Sequence, residues 1–399
     1  MDPFALNLRH LRSVVAVVEL GTLSAAASRV GLSQPALTQG LSKLERQLAR
    51  TLFERRPGGL SPTDAGSLLA IRARTAFALL GDACRLAGRR GFTRPEHIIT
   101  ATQARALLHV ANAGGFAAAA AASGLSQPAL HRAVRDLEHV TGMALIERRG
   151  RATRPTEHGR RMARGVRLAA RELAAAISEL TAGPSGGDRI VVGAMPLSRA
   201  RLLPLALAAL LRAEAAVTVE IVEGTWRDLV EQLRDGVLDL MIGALRDSPP
   251  PDVVQRPLFD DRLAVIARAG HPLDGVPAPT HAQLAAFPWI VGSTGTPLAA
   301  EWRNLFAGLP TPPAPVACGS AMLMRTLLRE TDLLTLLSPD QVALEIEARQ
   351  LTAIGPALGG SSRKIGLTTR ADWRPTRAQS RLVTLIGEVA SSEKSQENL

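Results

Sequence analysis

The chain has 399 residues, of which 46% are hydrophobic and 21% charged, proportions that fit two or three soluble globular domains. No window contains the roughly 18 apolar residues that would span a bilayer, so we expect no membrane insertion. Its two cysteines, Cys84 and Cys318, are too few for a disulfide-stapled secreted domain, so we expect small buried residues in a reducing compartment. Residues 1–185 carry 26 Lys and Arg against 13 Asp and Glu, a net charge of +13, whereas residues 186–399 have a net charge of −2. This asymmetry predicts a half that binds a polyanion, joined to a neutral half.

The N-terminal half contains one segment twice, at a constant offset of 93 residues. Gly31–Leu37 recurs unchanged at Gly124–Leu130. Further residues recur in copy two at the same offset without a gap: Leu44, Glu45, Leu52, Glu54, Arg55, Arg56, Pro62, Thr63 and Gly66. Matches held in one register indicate a duplicated domain, with copy one at 6–66 and copy two at 99–159.

Copy one is predicted to contain a short helix, a tight turn and a second helix with two unlike faces. Gly31 suits the left-handed end of the first helix, Ser33 is a good N-cap, and Pro35 fits the first turn of the next helix. A buried face is predicted from the spacing of Leu37, Leu41, Leu44 and Leu48. The opposite face carries Pro35, Thr38, Gln39, Ser42 and Arg46, flanked by Lys43. A polar helix face beyond a tight turn is suited to the major groove of DNA.

In copy two the corresponding helix face is more basic. It carries Pro128, His131, Arg132, Arg135 and His139, and arginines there suit phosphates or guanine edges. Glu-Arg-Arg and a glycine-containing loop follow each helix, at Pro57–Gly59 and Gly150-Arg151, which predicts a basic β-hairpin wing. The candidate DNA-binding residues are Ser33, Gln34, Pro35, Thr38, Gln39, Ser42, Lys43, Arg55, Arg56, Ser126, Gln127, Pro128, His131, Arg132, Arg135, Arg148, Arg149 and Arg151.

These residues, at this spacing and in both copies, resemble the N-terminal domain of LysR-type transcriptional regulators. The resemblance implies a winged helix-turn-helix domain, then a linker helix that pairs two subunits, then a sensor domain. The duplication departs from the usual pattern of one such domain. In copy one, Gln39 and Gly40 stand where the family more often has Arg and a larger residue. Copy one is therefore left open as a weak DNA binder, a binder of a second DNA element or a protein contact, and we expect copy two to be the main reader.

An apolar helical stretch follows each copy, within linkers at 67–93 and 160–185. The apolar positions of the first are Leu69, Ala73, Ala76, Leu80 and Ala83. Those of the second are Met162, Val166, Ala169, Leu173, Ala176 and Leu180, close to a heptad spacing. For the first stretch, packing on its own module and pairing with a second subunit are both open. For the second we predict pairing between subunits, in a homodimer or homotetramer. Gly183–Gly187 is predicted to be a hinge.

From Arg189 onward, alternating strands and helices predict a βαβαβ unit with a parallel sheet. Three segments resemble the LysR-type sensor domain: Leu233–Ile242, Gly270–Leu273 and Ile365–Arg370. The resemblance implies an α/β, two-lobed, periplasmic-binding-protein-like (type 2) fold over 186–391, with a ligand cleft between the lobes. The first lobe is expected at 189–266 and 354–390, and the second at 267–353.

Candidate effector-binding residues follow the predicted strands, because ligands of open α/β sheets bind beyond the carboxyl ends of strands and near helix N-termini. They are Met195, Pro196, Leu197, Ser198, Thr225, Trp226, Ser293, Thr294, Gly295 and Thr296. Hydroxyls and backbone amides suit a sugar or an organic or aromatic acid. The alternative for each single residue is an ordinary helix cap.

The sequence contains no catalytic constellation that we recognise, and none of its eight histidines stands at metal-ligand spacing. We therefore predict a cytoplasmic, non-enzymatic regulator without a cofactor or metal. Its expected partners are double-stranded DNA, a small-molecule effector, further copies of itself and RNA polymerase at promoters, with no membrane. The alternatives are an architectural DNA-binding protein with a vestigial sensor and, less favoured, an enzyme on a periplasmic-binding-protein-like fold.

Overall fold

A computed structural model describes residues 1–56, 59–85, 94–149, 152–181, 188–214 and 216–397. They form two compact units, residues 1–188 together with 235–237, and the remainder from Arg189 onward. Several predicted features lie outside the described residues: the hinge at 183–187, the loop residues 57–58 and 150–151, and residues 86–93 of the first linker.

The first unit contains one order of elements twice. Copy one and its linker comprise α1 (Leu8–Leu20), α2 (Leu23–Val30), α3 (Gln34–Leu48), β1 (Phe53–Arg56), β2 (Gly59–Pro62) and α4 (Asp64–Arg85). Copy two and its linker comprise α5 (Ala101–Ala113), α6 (Phe116–Ser123), α7 (Gln127–Thr141), β3 (Ile146–Arg149), β4 (Ala152–Pro155) and α8 (Glu157–Thr181). A short 3-10 turn precedes each copy, at Pro3–Ala5 and Pro95–His97. Each strand pair is an antiparallel hairpin.

The tight turn before each second helix forms as the sequence predicts. Gly31 and Gly124 end α2 and α6 with φ of 67° and 69°, a left-handed conformation that glycine adopts at little cost. The hydroxyls of Ser33 and Ser126 then accept hydrogen bonds from the third residue of α3 and α7, each at 3.4 Å. The two copies therefore enter their second helices in the same way.

The two long helices α4 and α8 pack along each other within the same chain. The predicted apolar positions of both linkers are buried, and one hydrophobic core runs through both copies and both long helices. The prediction that the second linker pairs with another subunit through this face is therefore wrong. The physical reason is that α4 presents a complementary apolar face, which already removes the face of α8 from water.

The second unit contains two five-stranded sheets. The strands of the first, in spatial order, are β6 (Thr218–Glu223), β5 (Arg189–Ala194), β7 (Leu240–Ala244), β14 (Arg363–Arg370) and β8 (Val253–Asp261). Those of the second are β11 (Val316–Ala317), β10 (Trp289–Val291), β12 (Leu334–Leu337), β9 (Ala264–Arg268) and β13 (Leu351–Ile354). The helices are α9 (Leu202–Ala213), α10 (Trp226–Arg234), α11 (His281–Ala285), α12 (Pro297–Leu305), α13 (Ala321–Glu330), α14 (Ala343–Glu347) and α15 (Arg377–Glu397).

The predicted βαβαβ unit is present, since β5 pairs in parallel with both β6 and β7. Antiparallel β14 and β8 complete that sheet, so it is mixed rather than wholly parallel. The expected lobe boundary at residue 266 divides β9, whereas the whole strand lies in the second sheet. The chain therefore crosses between sheets at 262–263 and returns at 355–362.

In the part of the chain that the structure describes, no single helix is both long enough and apolar enough to cross a membrane. Helices α5 and α6 meet that test only when counted together, and they are bent by 110° at the break between them.

Candidate nucleic-acid interface

The recurring motif residues make the same contacts in both copies. In copy one, Oε1 of Glu45 accepts hydrogen bonds from the backbone N–H groups of Leu52 and Phe53, at 2.8 and 3.4 Å. In copy two, Oε1 of Glu138 accepts from the pair of residues in the same positions, at 2.7 and 3.1 Å. Each glutamate ties its second helix to the start of the hairpin. It thereby satisfies backbone donors that would be costly to leave without partners.

A second repeated contact joins the residue before each long helix to the backbone just before the first strand of the hairpin. Thr63 donates its hydroxyl to the carbonyl of Thr51 at 2.8 Å, and Thr156 donates to that of Ala144 at 2.7 Å. Gly66 and Gly159, in the first turns of α4 and α8, lie so close to the backbone just before β1 and β3 that a Cβ atom would be 2.0 and 1.9 Å from the carbonyl oxygens of Leu52 and Leu145. The motif residues Glu, Thr and Gly therefore hold the scaffold together rather than face a ligand.

The exposed face of α3 lines an open groove of about 980 Å³. The four leucines of its opposite face are buried, as predicted. The side chains of Gln34, Pro35, Thr38, Gln39 and Ser42 are exposed and line the groove together with Arg46. Two residues that were not predicted, Arg50 and Thr51, continue this groove past the end of α3. Ser42, Arg46 and Arg50 are spaced four residues apart, and this spacing could have located Arg50 in the sequence.

Gly40, which the sequence suggested as a sign of weak DNA binding, has a packing explanation. A Cβ atom at this position would lie 2.7 Å from the imidazole ring of His10 on α1. Burial and the nearby charge of Lys43 lower the pKa of His10, so its ring is held neutral against α3. The small residue makes room for α1 and is itself buried.

The exposed face of α7 carries arginines at the positions of Gln39 and Ser42 on α3. Leu130, Val134, Leu137 and Val140 are buried, whereas the predicted contact residues Gln127, Pro128, Arg132, Arg135 and His139 are exposed, as are Ala129 and Asp136. His131 differs from its prediction as a polar surface residue. Its ring is half-buried and stacks on Phe116 of α6, with centroids 3.6 Å apart and planes at 16°. This contact braces α7 against α6.

The hairpins carry exposed arginines. Arg55 lies opposite Leu60 in the first hairpin, and Arg148 lies opposite Thr153 in the second; both arginines are exposed. Arg154 on β4 is also exposed. The side chains of Arg56 and Arg149, and the whole of Arg151, lie outside the described residues.

The candidate effector residues of the first sheet serve different local roles. The Ser198 hydroxyl is buried and lies within hydrogen-bonding distance of the carbonyls of Met195 and Ile242, at 2.9 and 3.2 Å. Thr225 is exposed and donates to Asp228 at 2.6 Å; with the backbone N–H of Thr225, this bond lowers the pKa of that carboxyl. Trp226 is half-buried under the guanidinium of Arg246, 5.5 Å from its ring centroid. Pro196 is exposed, and the side chain of Leu197 lies outside the described residues.

The candidates of the second sheet form the turn that starts α12. Thr296 caps this helix: its hydroxyl accepts from Ala299 at 3.3 Å and donates to the Ser293 carbonyl at 2.6 Å. Ser293, Thr294 and Gly295 are exposed in the same turn. The bonds described here for Ser198, Thr225 and Thr296 stay within their own turns or adjoining strands, as ordinary caps do.

The geometry agrees with two family models. The model described as LysR substrate binding domain matches residues 183–391. The model described as bacterial regulatory helix-turn-helix protein, lysR family, matches twice, at 8–67 and 101–160. The chain belongs to the LysR family. It is therefore a ligand-responsive DNA-binding transcriptional regulator, as the family resemblance implied.

Curated relatives of this LysR-family protein are named as transcriptional regulators rather than enzymes. The HTH-type transcriptional regulator GalR of Pseudomonas putida is 32% identical over 394 residues, covering 97% of this chain and 98% of that protein. The SDS degradation transcriptional activation protein of a Pseudomonas species is 36% identical and covers 67% of this chain and 89% of its own length. GalR thus aligns across both copies, whereas the second relative aligns over a shorter part of the chain.

Solved structures share the fold at low sequence identity. ArgP from Mycobacterium tuberculosis matches with a TM-score of 0.56 and 18% identity, over 72% of this chain and 96% of its own. A full-length OxyR variant from Pseudomonas aeruginosa matches with a TM-score of 0.53 and 22% identity, over 72% of this chain and 93% of its own.

Proposed function

We propose that copies one and two are both winged helix-turn-helix domains, which place the exposed faces of α3 and α7 in the major groove of promoter DNA. The observation that carries this proposal is the exposed row of Arg132 and Arg135 on α7, on the side of the helix opposite its buried face. An arginine can make two hydrogen bonds to a guanine edge, and a helix is the element that fits the major groove. The turn and cap before each helix support this placement.

The wings supply contacts to the DNA backbone in this proposal. Arg55 and Arg148 are exposed on the hairpins that follow α3 and α7, and the half of the chain that carries them has a net charge of +13. Contacts to phosphates release counterions, so DNA affinity falls as salt rises. They position the domain, while the helix faces select the sequence.

Copy two is the main operator reader. At the offset of 93 residues, Arg132 corresponds to Gln39 and Arg135 to Ser42. The buried residues of α3 and α7 have the same spacing, so the two helices differ mainly in these exposed residues. Arginine is longer than glutamine or serine and can donate two hydrogen bonds to one guanine, which favours base selection by α7. Copy one selects bases more weakly through its amide and hydroxyl groups.

The second unit binds a small effector, a sugar or an organic or aromatic acid. The turns at Met195–Ser198, Thr225-Trp226 and Ser293–Thr296 lie at strand ends or helix starts and supply hydroxyl groups or backbone amides. Effector binding changes how the DNA-binding domains meet neighbouring half-sites in a homodimer or homotetramer. That change in turn alters the contact with RNA polymerase at promoters in the cytoplasm.

A gel-shift comparison with promoter-region fragments tests the assignment of the main reader. We expect Arg132→Ala to weaken specific binding by about tenfold or more, because one good bidentate contact contributes about 1–3 kcal/mol of discrimination. Gln39→Ala, the matched position of copy one, weakens it less. An equal or larger loss from Gln39→Ala contradicts the assignment.

A metabolite panel tests the sensor assignment in the same full-length chain. A true effector binds the folded state and raises the unfolding temperature of the second unit with increasing concentration. Sugars and organic or aromatic acids that all leave this temperature unchanged contradict an effector of the proposed classes.

A further inference from the structure

The contact surface between α4 and α8, here called the seam, contains a cluster of ion pairs whose residues are not repeated at the equivalent positions of the other copy. The guanidinium of Arg72 donates to Glu172 at 3.1 Å and makes two bonds to Glu179, at 3.2 and 2.9 Å. The Arg72 side chain is 7% exposed, and those of Glu172 and Glu179 are 12% and 19% exposed. Although burial lowers the pKa of Arg72, the bonds and charges of the two glutamates outweigh it, and the pKa is raised. The guanidinium of Arg72 is therefore held charged in the seam.

The same positions meet again on the other side of the seam, with different residues. At the offset of 93 residues, Gly165 on α8 is equivalent to Arg72 on α4, and Leu79 on α4 is equivalent to Glu172 on α8. Gly165 lies against Leu79 and Ala83, where an added Cβ atom would come within 3.1 Å of the Leu79 carbonyl oxygen. Arg72 thus contacts Glu172, and the equivalent residues Gly165 and Leu79 contact each other. A two-fold axis that relates the two copies produces this exchange of positions.

Two further contacts obey the same two-fold relation. The turn Pro3–Ala5 that precedes copy one packs on α8, and the turn Pro95–His97 that precedes copy two packs on α4. A cavity of about 550 Å³ between the copies is lined by residues 4–9 and 97–102, which are the same positions at the offset of 93, and on one side also by Arg12 and Lys43 of copy one. The two copies are therefore arranged within one chain as the two halves of a symmetric dimer would be.

The one-sided cluster makes the seam selective for unlike helices. In a pair of two α4 helices, Arg72 would face Leu79, and in a pair of two α8 helices, Glu172 would face Gly165. Either arrangement would bury a charge without its partner, which is strongly unfavourable. The chemistry of the seam thus favours α4 with α8, and their place in one chain makes that pairing intramolecular.

From these contacts we propose that a single chain acts as a built-in dimer and binds both arms of an inverted DNA repeat whose two arms differ in sequence. One arm lies under α7 with Arg132 and Arg135, and the other under α3 with Gln39 and Ser42. This inference rests on the proposed function, since it assigns DNA to both helix faces. Association of whole chains, through surfaces other than this seam, then brings several such built-in dimers together.

Selection of bound duplexes from a random library, using the purified full-length chain, tests this inference. We expect an enriched inverted repeat with unlike arms. Arg132→Ala should abolish base preference in one arm only, and the double substitution Gln39→Ala with Ser42→Ala should affect the other arm only. Arg74→Ala, an exposed arginine of α4, serves as the control and should leave both arms intact.

Three results overturn the inference while leaving DNA binding in place. They are loss of both arms from Arg132→Ala alone, an unchanged pattern from the double substitution in copy one, and a selected sequence with identical arms. Each would mean that copy two from separate chains binds both arms, or that copy one binds none. If the unsubstituted chain enriches no sequence at all, the proposed function falls, and this inference falls with it.

Discussion

Copies one and two are alike inside and unlike outside. Glu45 and Glu138 anchor their hairpins with the same pair of backbone hydrogen bonds, and Gly66 and Gly159 allow the same close approach to the backbone just before each hairpin. The exposed faces of α3 and α7 differ at two central positions, since Gln39 and Ser42 stand in the first where Arg132 and Arg135 stand in the second. The repeated motif residues therefore maintain the fold, while the exposed residues between them can differ and give the two copies different DNA recognition.

The long helices differ in a second way, because their contact is symmetric in position and asymmetric in charge. Arg72 on α4 is buried between two glutamates of α8, and its counterpart Gly165 packs against aliphatic groups. A charge buried in this way stabilises only the arrangement that supplies its partners. The charges in the seam therefore favour the pairing of α4 with α8 over pairs of two α4 or two α8 helices.

Removal of that charge should give the largest loss of stability. We expect Arg72→Met to lower the free energy of unfolding of the first unit by about 3 kcal/mol, because it leaves two glutamates in a largely buried site without their cation. All four tryptophans lie beyond residue 188, so tryptophan fluorescence follows the second unit, while the helix signal in circular dichroism includes the first. The helix signal should be lost at lower urea concentration, and the fluorescence transition should move far less.

The matched control for this change is Arg74→Met on the same helix. Arg74 is 52% exposed and pairs with Glu19 at 3.2 Å, a contact worth about 0–1 kcal/mol in water. Equal effects of the two substitutions would show that the cluster contributes no more than a surface ion pair.

Substitution of the paired glycines should show whether the two scaffolds are equivalent. Gly66→Ala and Gly159→Ala each force a Cβ atom against the carbonyl oxygen of Leu52 or Leu145, just before the hairpin, and backbone must move to accept it. We expect each to destabilise the first unit by roughly 2–3 kcal/mol, the range of an overpacked site. Urea titrations of the two variants should agree closely; a large difference would mean that one copy tolerates what the other does not.

Gly81→Ala serves as the control for these glycines, with the opposite sign. It lies inside α4, and the nearest atom to an added Cβ is 3.7 Å away, an ordinary contact distance. Alanine in a helix interior should raise stability by about 0.5–1 kcal/mol.

The smallest effect concerns the reactivity of the two cysteines. Cys84 is buried on α4 at the position of Ile177 on α8, and burial with the nearby charge of Glu96 raises the pKa of its thiol to about 12. Cys318 is half-buried. Alkylation at mildly alkaline pH followed by peptide mass spectrometry should label Cys318 first, and Arg72→Met should speed labelling of Cys84. Rapid labelling of Cys84 in the unsubstituted chain would contradict a closed seam.

Local features could be predicted from the sequence because they depend on neighbouring residues. The buried spacing Leu37, Leu41, Leu44 and Leu48, the cap at Ser33 and the glycine at the end of α2 all form as expected. The sequence also predicted the apolar faces of both linkers. It did not predict that these two faces pack against each other within one chain. Arg72 looks like any surface arginine until a glutamate 100 positions away is brought beside it.

Some candidate site residues make contacts that the sequence did not predict, for the same reason. His131 stacks on Phe116, which lies on the preceding helix, and Gly40 is small because His10 lies over it. Ser198, expected at a ligand site, is buried and within hydrogen-bonding distance of two carbonyls. Each of these contacts joins separate elements, so local spacing and helix periodicity carry no information about it.

The most direct test of DNA recognition by this chain is its affinity for the selected duplex, measured by fluorescence anisotropy at increasing salt. We predict that the logarithm of affinity falls linearly with the logarithm of salt, and that Arg148→Ala reduces the slope by about one, as loss of one phosphate contact requires. Arg132→Ala should instead reduce the preference over a scrambled duplex. Equal, salt-insensitive binding to selected and scrambled duplexes would contradict recognition through these helix faces and wings.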